Sequence, residues 1–392
     1  LIDGYRLQAK QTGSEMYQEK VACRLSRQSR FYRLLGDVHY TRLCYGRARD
    51  AIDGKDIEAQ VKITDPVLRQ GLEGFTDIVK GEFYFRQGGY GSLLEIYLRD
   101  ELPSARDRFD RQFPGDREKA LTLFKQGKKQ LEQTLKELEE RLNSEQETAQ
   151  RAFWEERIRF YHQQLAEAYF QLGELQMMNN HFQENEQDGL GAFEYLRKSI
   201  AECEASEHHD KYDDAIQSYL NAIYFSGEYD DWNSHEEVVK YGQELEGKIQ
   251  TEGYNYPRVA ARFRIIQGDV LFSECFQMEE QADEAESENY WFVPRKAPVG
   301  REELLPMFRC YVEACNYKAG FNDLSFEAGL RVLRRRIELI ADSASLDILH
   351  KILRHIWQDE RHLRKKSEEL ESILQLIKMR SLTRKLVQEY ER

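Results

Sequence analysis

The stretch WEERIRFYHQQLAEAYFQLGEL, residues 154–175, decides the fold. Its apolar and aromatic members Trp154, Ile158, Tyr161, Leu165, Ala168, Leu172 and Leu175 follow one another in alternating steps of four and three. That spacing lays all seven on one stripe of an α-helix. Upstream, Phe124, Leu131, Leu135, Leu138 and Leu142 form a second stripe, and the polar stretch Asn143–Gln150 separates the two. Two amphipathic segments joined by a short polar connection predict a helical hairpin. Pro114-Gly115-Asp116 marks its start, a turn followed by a capping aspartate. The seven prolines (Pro66, Pro103, Pro114, Pro257, Pro294, Pro298 and Pro306) fall where the periodic pattern breaks, as helix starts and linkers require. Glu58–Ile63 alternates weakly, but so briefly ahead of Asp65-Pro66 that a loop is expected there.

Composition agrees with a folded, helical chain. Of 392 residues, 41% are hydrophobic and 12% aromatic, which excludes global disorder. No run of about 18 uncharged apolar residues occurs, and Leu1–Tyr5 is no charged-then-apolar leader, so a soluble chain acting in the cytoplasm, with no membrane partner, is expected. The six cysteines are scattered without a C-x-x-C pair, so reduced thiols are expected. Leu1 at the start, with Met16 as the first methionine, leads to the expectation of a longer polypeptide. The net charge of -13 is uneven: residues 1–50 hold 10 basic and 5 acidic side chains, residues 201–250 hold 3 and 13, and residues 351–392 hold 11 and 7. A groove tracking nucleic acid along the whole chain would be positive throughout, so a nucleic-acid partner is not expected. Glu202–Asp214 and Glu279–Glu288 are acidic stretches read as solvated faces or loops.

The chain also repeats itself. Arg30-Phe31-Tyr32-Arg33-Leu34-Leu35-Gly36-Asp37-Val38 returns as Arg262-Phe263-Arg264-Ile265-Ile266-Gln267-Gly268-Asp269-Val270, with five of nine positions identical. Tyr169–Leu175 is a weaker third copy around Gly173. A glycine inside a helix costs about 1 kcal/mol relative to alanine, so its recurrence predicts close approach of a neighbouring helix.

Tyr169, Leu172 and Gly173 on one helix, and Ala215, Tyr219 and Ala222 on another, resemble the tetratricopeptide-repeat family. Tyr32, Leu35 and Gly36, Gly268 alone in its copy, Ala192 with Leu196, and Met307, Tyr311 and Ala314 fit the same pattern in part, as does Pro257 before its helix. Gln176 stands where that family places an aromatic, a position that His39 matches in the copy around Gly36. Gly36, Gly173 and Gly268 are 137 and 95 residues apart, so the spacing is irregular and insertions such as Asn179–Gly189 and Glu279–Pro298 must interrupt the helix pairs. The resemblance implies an all-α fold: an α-solenoid of about six or seven antiparallel hairpins over residues 1–345. It also implies a non-enzymatic scaffold or sensor that binds a protein or peptide, within a larger protein or complex such as those of bacterial signalling and defence.

Residues 346–392 read as a long basic C-terminal helix. Leu349, Ile356, Leu363, Leu370 and Ile377 recur every seven residues, but only one seam position is continuously apolar, so packing on or extending the array is expected rather than self-association. A structural homo-oligomer remains the alternative, and the oligomeric state is open.

No motif for a cofactor is present, and none is expected. Gly88-Gly89-Tyr90-Gly91-Ser92 lacks the lysine and preceding strand of a phosphate loop. His208-His209-Asp210 and the helical set His355, Asp359 and His362 are read as solvated, so no metal is expected. Arg33…His39 and Arg157…His162 match the arginine-then-histidine spacing of all-helical HEPN-like ribonucleases, in which histidine moves a proton and arginine steadies phosphate. An arginine-rich chain offers that spacing by chance, so the ribonuclease is the runner-up. Arg334-Arg335-Arg336 and Tyr290, Trp291 and Phe292 are candidate partner contacts.

Overall fold

The fold is seen in a computed structural model that describes residues 1–34, 38–56, 61–85, 115–183, 189–226, 235–252, 257–280, 290–294, 306–307, 309–311 and 313–314. The chain divides into two compact units, Leu1–Ser226 and Gly227–Arg392. The first contains eight described helices: α1 (Ile2–Thr12), α2 (Glu15–Leu34), α3 (Val38–Ile52), α4 (Pro66–Phe85), α5 (Asp116–Ser144), α6 (Thr148–Met178), α7 (Ala192–Ser206) and α8 (His209–Ser226). Each packs on the next in sequence, and α2 also touches α4, α4 touches α6, and α6 touches α8.

Local chemistry sets the helix ends. Gly13, at φ 63°, closes α1 by donating its N–H to the Ala9 carbonyl at 2.8 Å. Asp65 caps α4: its Oδ1 accepts the Val67 N–H at 2.9 Å and the Leu68 N–H at 3.3 Å, with Pro66 at the first helical position. Glu58–Ile63, expected as a loop, is described only over residues 61–63, which take no regular structure.

The decisive stretch forms the hairpin its spacing predicts. α5 and α6 run antiparallel: Arg141 lies over the Trp154 ring at 5.3 Å near the turn, and Tyr169 donates its hydroxyl to Glu132 at 2.5 Å farther along. Trp154, Tyr161, Leu165, Ala168, Leu172 and Leu175 are buried, and Ile158 is half-buried. One stripe is too narrow a description of α6, however. Residues 168–178 are buried on every side, because α4, α5, α7 and α8 all touch this helix.

Glycines permit the closest approaches. The backbones of α4 and α5 meet at Gly74 and Gly127, where a Cβ on Gly127 would lie 2.7 Å from the Gly74 carbonyl oxygen. Gly173 sits against Leu196 of α7, the close approach of a neighbouring helix expected there. The nine-residue repeat itself occupies unequal places. Arg30–Val38 spans the junction of α2 and α3, with Phe31 58% exposed, whereas Phe263 is fully buried within one continuous helix; Gly36 lies outside the described residues.

In the second unit, α9 (His235–Glu252) packs on α10 (Pro257–Cys275). A Cβ on Gly268 would lie 2.6 Å from the Tyr311 ring, and Arg264 makes a two-pronged pair with Glu246 at 2.6 and 2.7 Å. β1 (Phe276–Glu280) then pairs antiparallel with β2 (Tyr290–Pro294), with Met278 opposite Phe292. The expected insertion at Glu279–Pro298 therefore holds β2 and the last two residues of β1, and Tyr290, Trp291 and Phe292 have their backbone in β2. Arg334, Arg335, Arg336 and residues 346–392 lie outside the described residues. The described structure is helical apart from this pair, and no described helix is long and apolar enough to cross a membrane.

Candidate functional site

A cleft of about 420 Å³ opens between α1, α2 and α6. Heptad-like placement on α2 brings Met16, Glu19, Lys20, Cys23, Arg24 and Arg27 to one face, and α6 supplies Phe153, Glu156, Arg157, Arg159, Phe160 and Gln163. Tyr5 of α1 closes one end.

The floor is an ion pair. Arg157, 8% exposed, donates from Nη2 to the Glu19 carboxylate and lies over the Phe153 ring at 3.3 Å. Its Nε is buried with no hydrogen-bond partner among the described residues. Burial pushes the Glu19 carboxyl up, and the Arg157 guanidinium pulls it only part of the way back. Burial, with Glu19 beside it, pushes the Cys23 thiol up to about 12, so Cys23 is a protonated wall residue and no nucleophile at neutral pH.

The rim is basic. Lys20, Arg24, Arg27 and Arg159 are exposed, and none forms an ion pair with a described residue. Arg27 sits over the Phe160 ring at 5.4 Å and Lys20 over Tyr5 at 5.7 Å. Five basic and two acidic side chains line the cleft, an excess of three positive charges.

Beside it runs a buried polar chain along the even-numbered helices. Glu82 of α4, 1% exposed, receives three hydrogen bonds from the Arg30 guanidinium, at 2.9 and 2.6 Å to Oε1 and 3.1 Å to Oε2, and Arg33 approaches it at 3.7 Å. Arg30 also donates to Gln164 of α6 at 2.9 Å. Burial would raise the Glu167 carboxyl, but Lys211 of α8, at 3.1 Å, and Arg30 hold it well below the usual carboxylate range. Ser218 donates to Glu174 at 3.1 Å.

Compared with protein-family models and with curated proteins, the sequence matches none. The site therefore rests on its own geometry. The ribonuclease candidates do not converge. Arg157 faces α2, whereas His162, roughly 140° around the same helix, places Nδ1 2.5 Å from Glu202 of α7. Arg33 points to Glu82, while His39 is exposed and packs edge-on to Tyr40 at 5.6 Å. Among the described residues no group of three His, Cys, Asp or Glu side chains is placed to share a metal ion.

Sequence reasoning missed the cleft. Its one legible sign is the spacing of Lys20, Arg24 and Arg27 at i, i+4 and i+7, a basic stripe hidden inside the charge count for residues 1–50.

Proposed function

We propose that the chain is a non-enzymatic scaffold: an α-solenoid of antiparallel hairpins, tetratricopeptide-like in kind, that holds a protein or peptide partner in the cytoplasm. The observation that carries this is the contact pattern of the first unit. Contacts between α2 and α4, α4 and α6, and α6 and α8, with α3, α5 and α7 touching the helices on either side of them in sequence, support a reading as stacked helix pairs with alternate helices in one row. Stacking of this kind creates extended surface suited to a partner.

The best-suited contact surface lies where α2 meets α3. Phe31 and Tyr40 are 58% and 48% exposed, and Tyr32 stacks on Tyr40 with ring centroids 5.1 Å apart. Aromatic anchors of this kind dominate protein interfaces. The test replaces Phe31 and Tyr40 by alanine and follows recovery of a stoichiometric partner from the native host, with crosslinking to hold weak complexes. Loss of the partner with an unchanged melting curve is expected. Undiminished recovery would refute the surface, and failure of any partner to crosslink would refute the scaffold.

A further inference from the structure

The cleft between α1, α2 and α6 has the properties of a small-molecule site, independently of any protein partner. Three observations converge there. Lys20, Arg24, Arg27 and Arg159 surround it without ion-pair partners among the described residues. Arg157, 8% exposed, forms the floor, its guanidinium held by Glu19 and the Phe153 ring and its buried Nε without a hydrogen-bond partner among the described residues. Phe153 and Phe160 supply ring surface on the wall that carries the cations.

Cations left unpaired around a concavity favour an anion of several charges, because each guanidinium offers paired N–H donors to phosphate oxygens. Ring faces beside them favour a planar group in the same molecule. The volume, about 420 Å³, falls within the roughly 300–1,000 Å³ of small-molecule sites. Apart from Met16 in the first turn of α2, the wall residues lie within helices whose backbone N–H and C=O groups are already bonded, so an extended peptide would find no row of main-chain partners there. A nucleic-acid strand would need the basic track to continue, and the chain as a whole carries a net charge of -13.

We infer that this cleft binds a nucleotide, a nucleoside di- or triphosphate whose phosphates meet Lys20, Arg24 and Arg27 and whose base lies against the rings of Phe153 and Phe160. The Arg27–Phe160 contact seen in the free protein exchanges for base stacking when the ligand enters, while Arg157, held by Glu19, stays over Phe153 and fixes that ring. The scaffold then reports the presence of a soluble metabolite.

Isothermal titration of the whole chain with ATP, GTP, CTP and UTP, and with pyrophosphate and adenosine as half-ligands, tests this. At least one triphosphate should bind, with pyrophosphate weaker by at least about tenfold and adenosine weaker still. Arg24→Glu and Arg27→Glu, both at exposed positions, should each weaken binding by at least about tenfold without changing the melting curve. Phe160→Leu should narrow the gap between the triphosphate and pyrophosphate; where it lowers the melting point, Phe153→Leu gives the same reading. No binding at about 1 mM of any triphosphate in low salt would overturn the inference. So would pyrophosphate binding as tightly as the triphosphate, binding that survives both charge reversals, or a short oligoadenylate RNA outcompeting every nucleotide. None of these outcomes bears on partner recovery through Phe31 and Tyr40, so the two proposals fail separately.

Discussion

Replacing Gly127 by alanine should destabilise the first unit, while the same change at Gly46 should stabilise it. Both residues lie inside helices, so both substitutions gain about 1 kcal/mol of helix propensity. Their surroundings differ. A Cβ on Gly46 meets nothing within 4 Å, whereas one on Gly127 would lie 2.7 Å from the Gly74 carbonyl oxygen and 2.7 Å from Ile78 Cδ1. Ordinary contact begins at 3.4 Å, so α4 and α5 would have to separate by about 0.7 Å along a close-packed seam. Overpacking of that kind costs about 1–3 kcal/mol, which cancels or exceeds the propensity gain. The two variants should therefore differ by about 1–3 kcal/mol, or several degrees in melting temperature for a unit of this size. Gly74→Ala, whose Cβ would lie 3.0 Å from the Gly127 carbonyl, should fall between them. Chemical denaturation followed by circular dichroism gives the order. Amide exchange gives the location, since only Gly127→Ala should speed exchange in α4 and α5. Equal stabilisation by Gly46→Ala and Gly127→Ala would refute the close approach of these two helices.

Two further outcomes follow from burial. Burial pushes the Asp77 carboxyl up to about 6, and its Oδ2 has no hydrogen-bond partner among the described residues. The folded state thus binds the proton more tightly than the unfolded chain, so Asp77 weakens the fold as pH rises from about 4 to 6 and stays unfavourable above. Asp77→Asn should stabilise the protein by about 1–3 kcal/mol at neutral pH. That gain should shrink towards zero by about pH 4, as melting curves across the range would show; a gain independent of pH would contradict the assignment. Gly268→Ala should drive the Tyr311 ring away, break its 2.6 Å hydrogen bond to Asp269 and destabilise the second unit by about 1–3 kcal/mol. An unchanged melting curve would show that the ring has room to yield.

Periodicity made the helices legible because burial on one side of a helix selects apolar residues at three- and four-residue steps, and Phe124, Leu131 and Leu138 are fully buried as those steps require. It fell short in the second half of α6, where four neighbouring helices leave no outward face and Gln171, Glu174 and Gln176 are buried with the leucines. Gly173 and Gly268 were recognisable from their repeated context. Gly71, Gly74, Gly81 and Gly127 were not, since each owes its place to a partner on another helix and shares no local motif. The repeat at Arg30 and Arg262 misleads for the same reason: identical residues meet different neighbours. The cleft is the extreme case, because Arg157 and Glu19 are 138 positions apart and only the stacking of helices brings them together.

The buried charges have a purpose that apolar stripes cannot serve. Along α6, Leu165, Ala168 and Leu172 offer similar surfaces one turn apart, so slipping α4 or α2 by about 5.4 Å would cost little apolar contact. An ion pair tolerates no such slip. Glu82 with Arg30, and Arg30 with Gln164, tie α2, α4 and α6 at one register, and Glu167 with Lys211 extends the tie to α8. Removing one partner and replacing the pair therefore have different expected outcomes. Glu82→Ala leaves a partly buried guanidinium without its carboxylate and should cost about 3 kcal/mol. Arg30→Met combined with Glu82→Met should recover part of that stability, because the desolvation of both charges disappears with them while Arg33 and Glu167 each lose one charged neighbour. The recovered variant should nonetheless show exchange broadening of methyl resonances from α2, α4 and α6, as registers one turn apart become close in energy. A double variant as stable as the parent, with sharp resonances throughout, would show that packing alone sets the register.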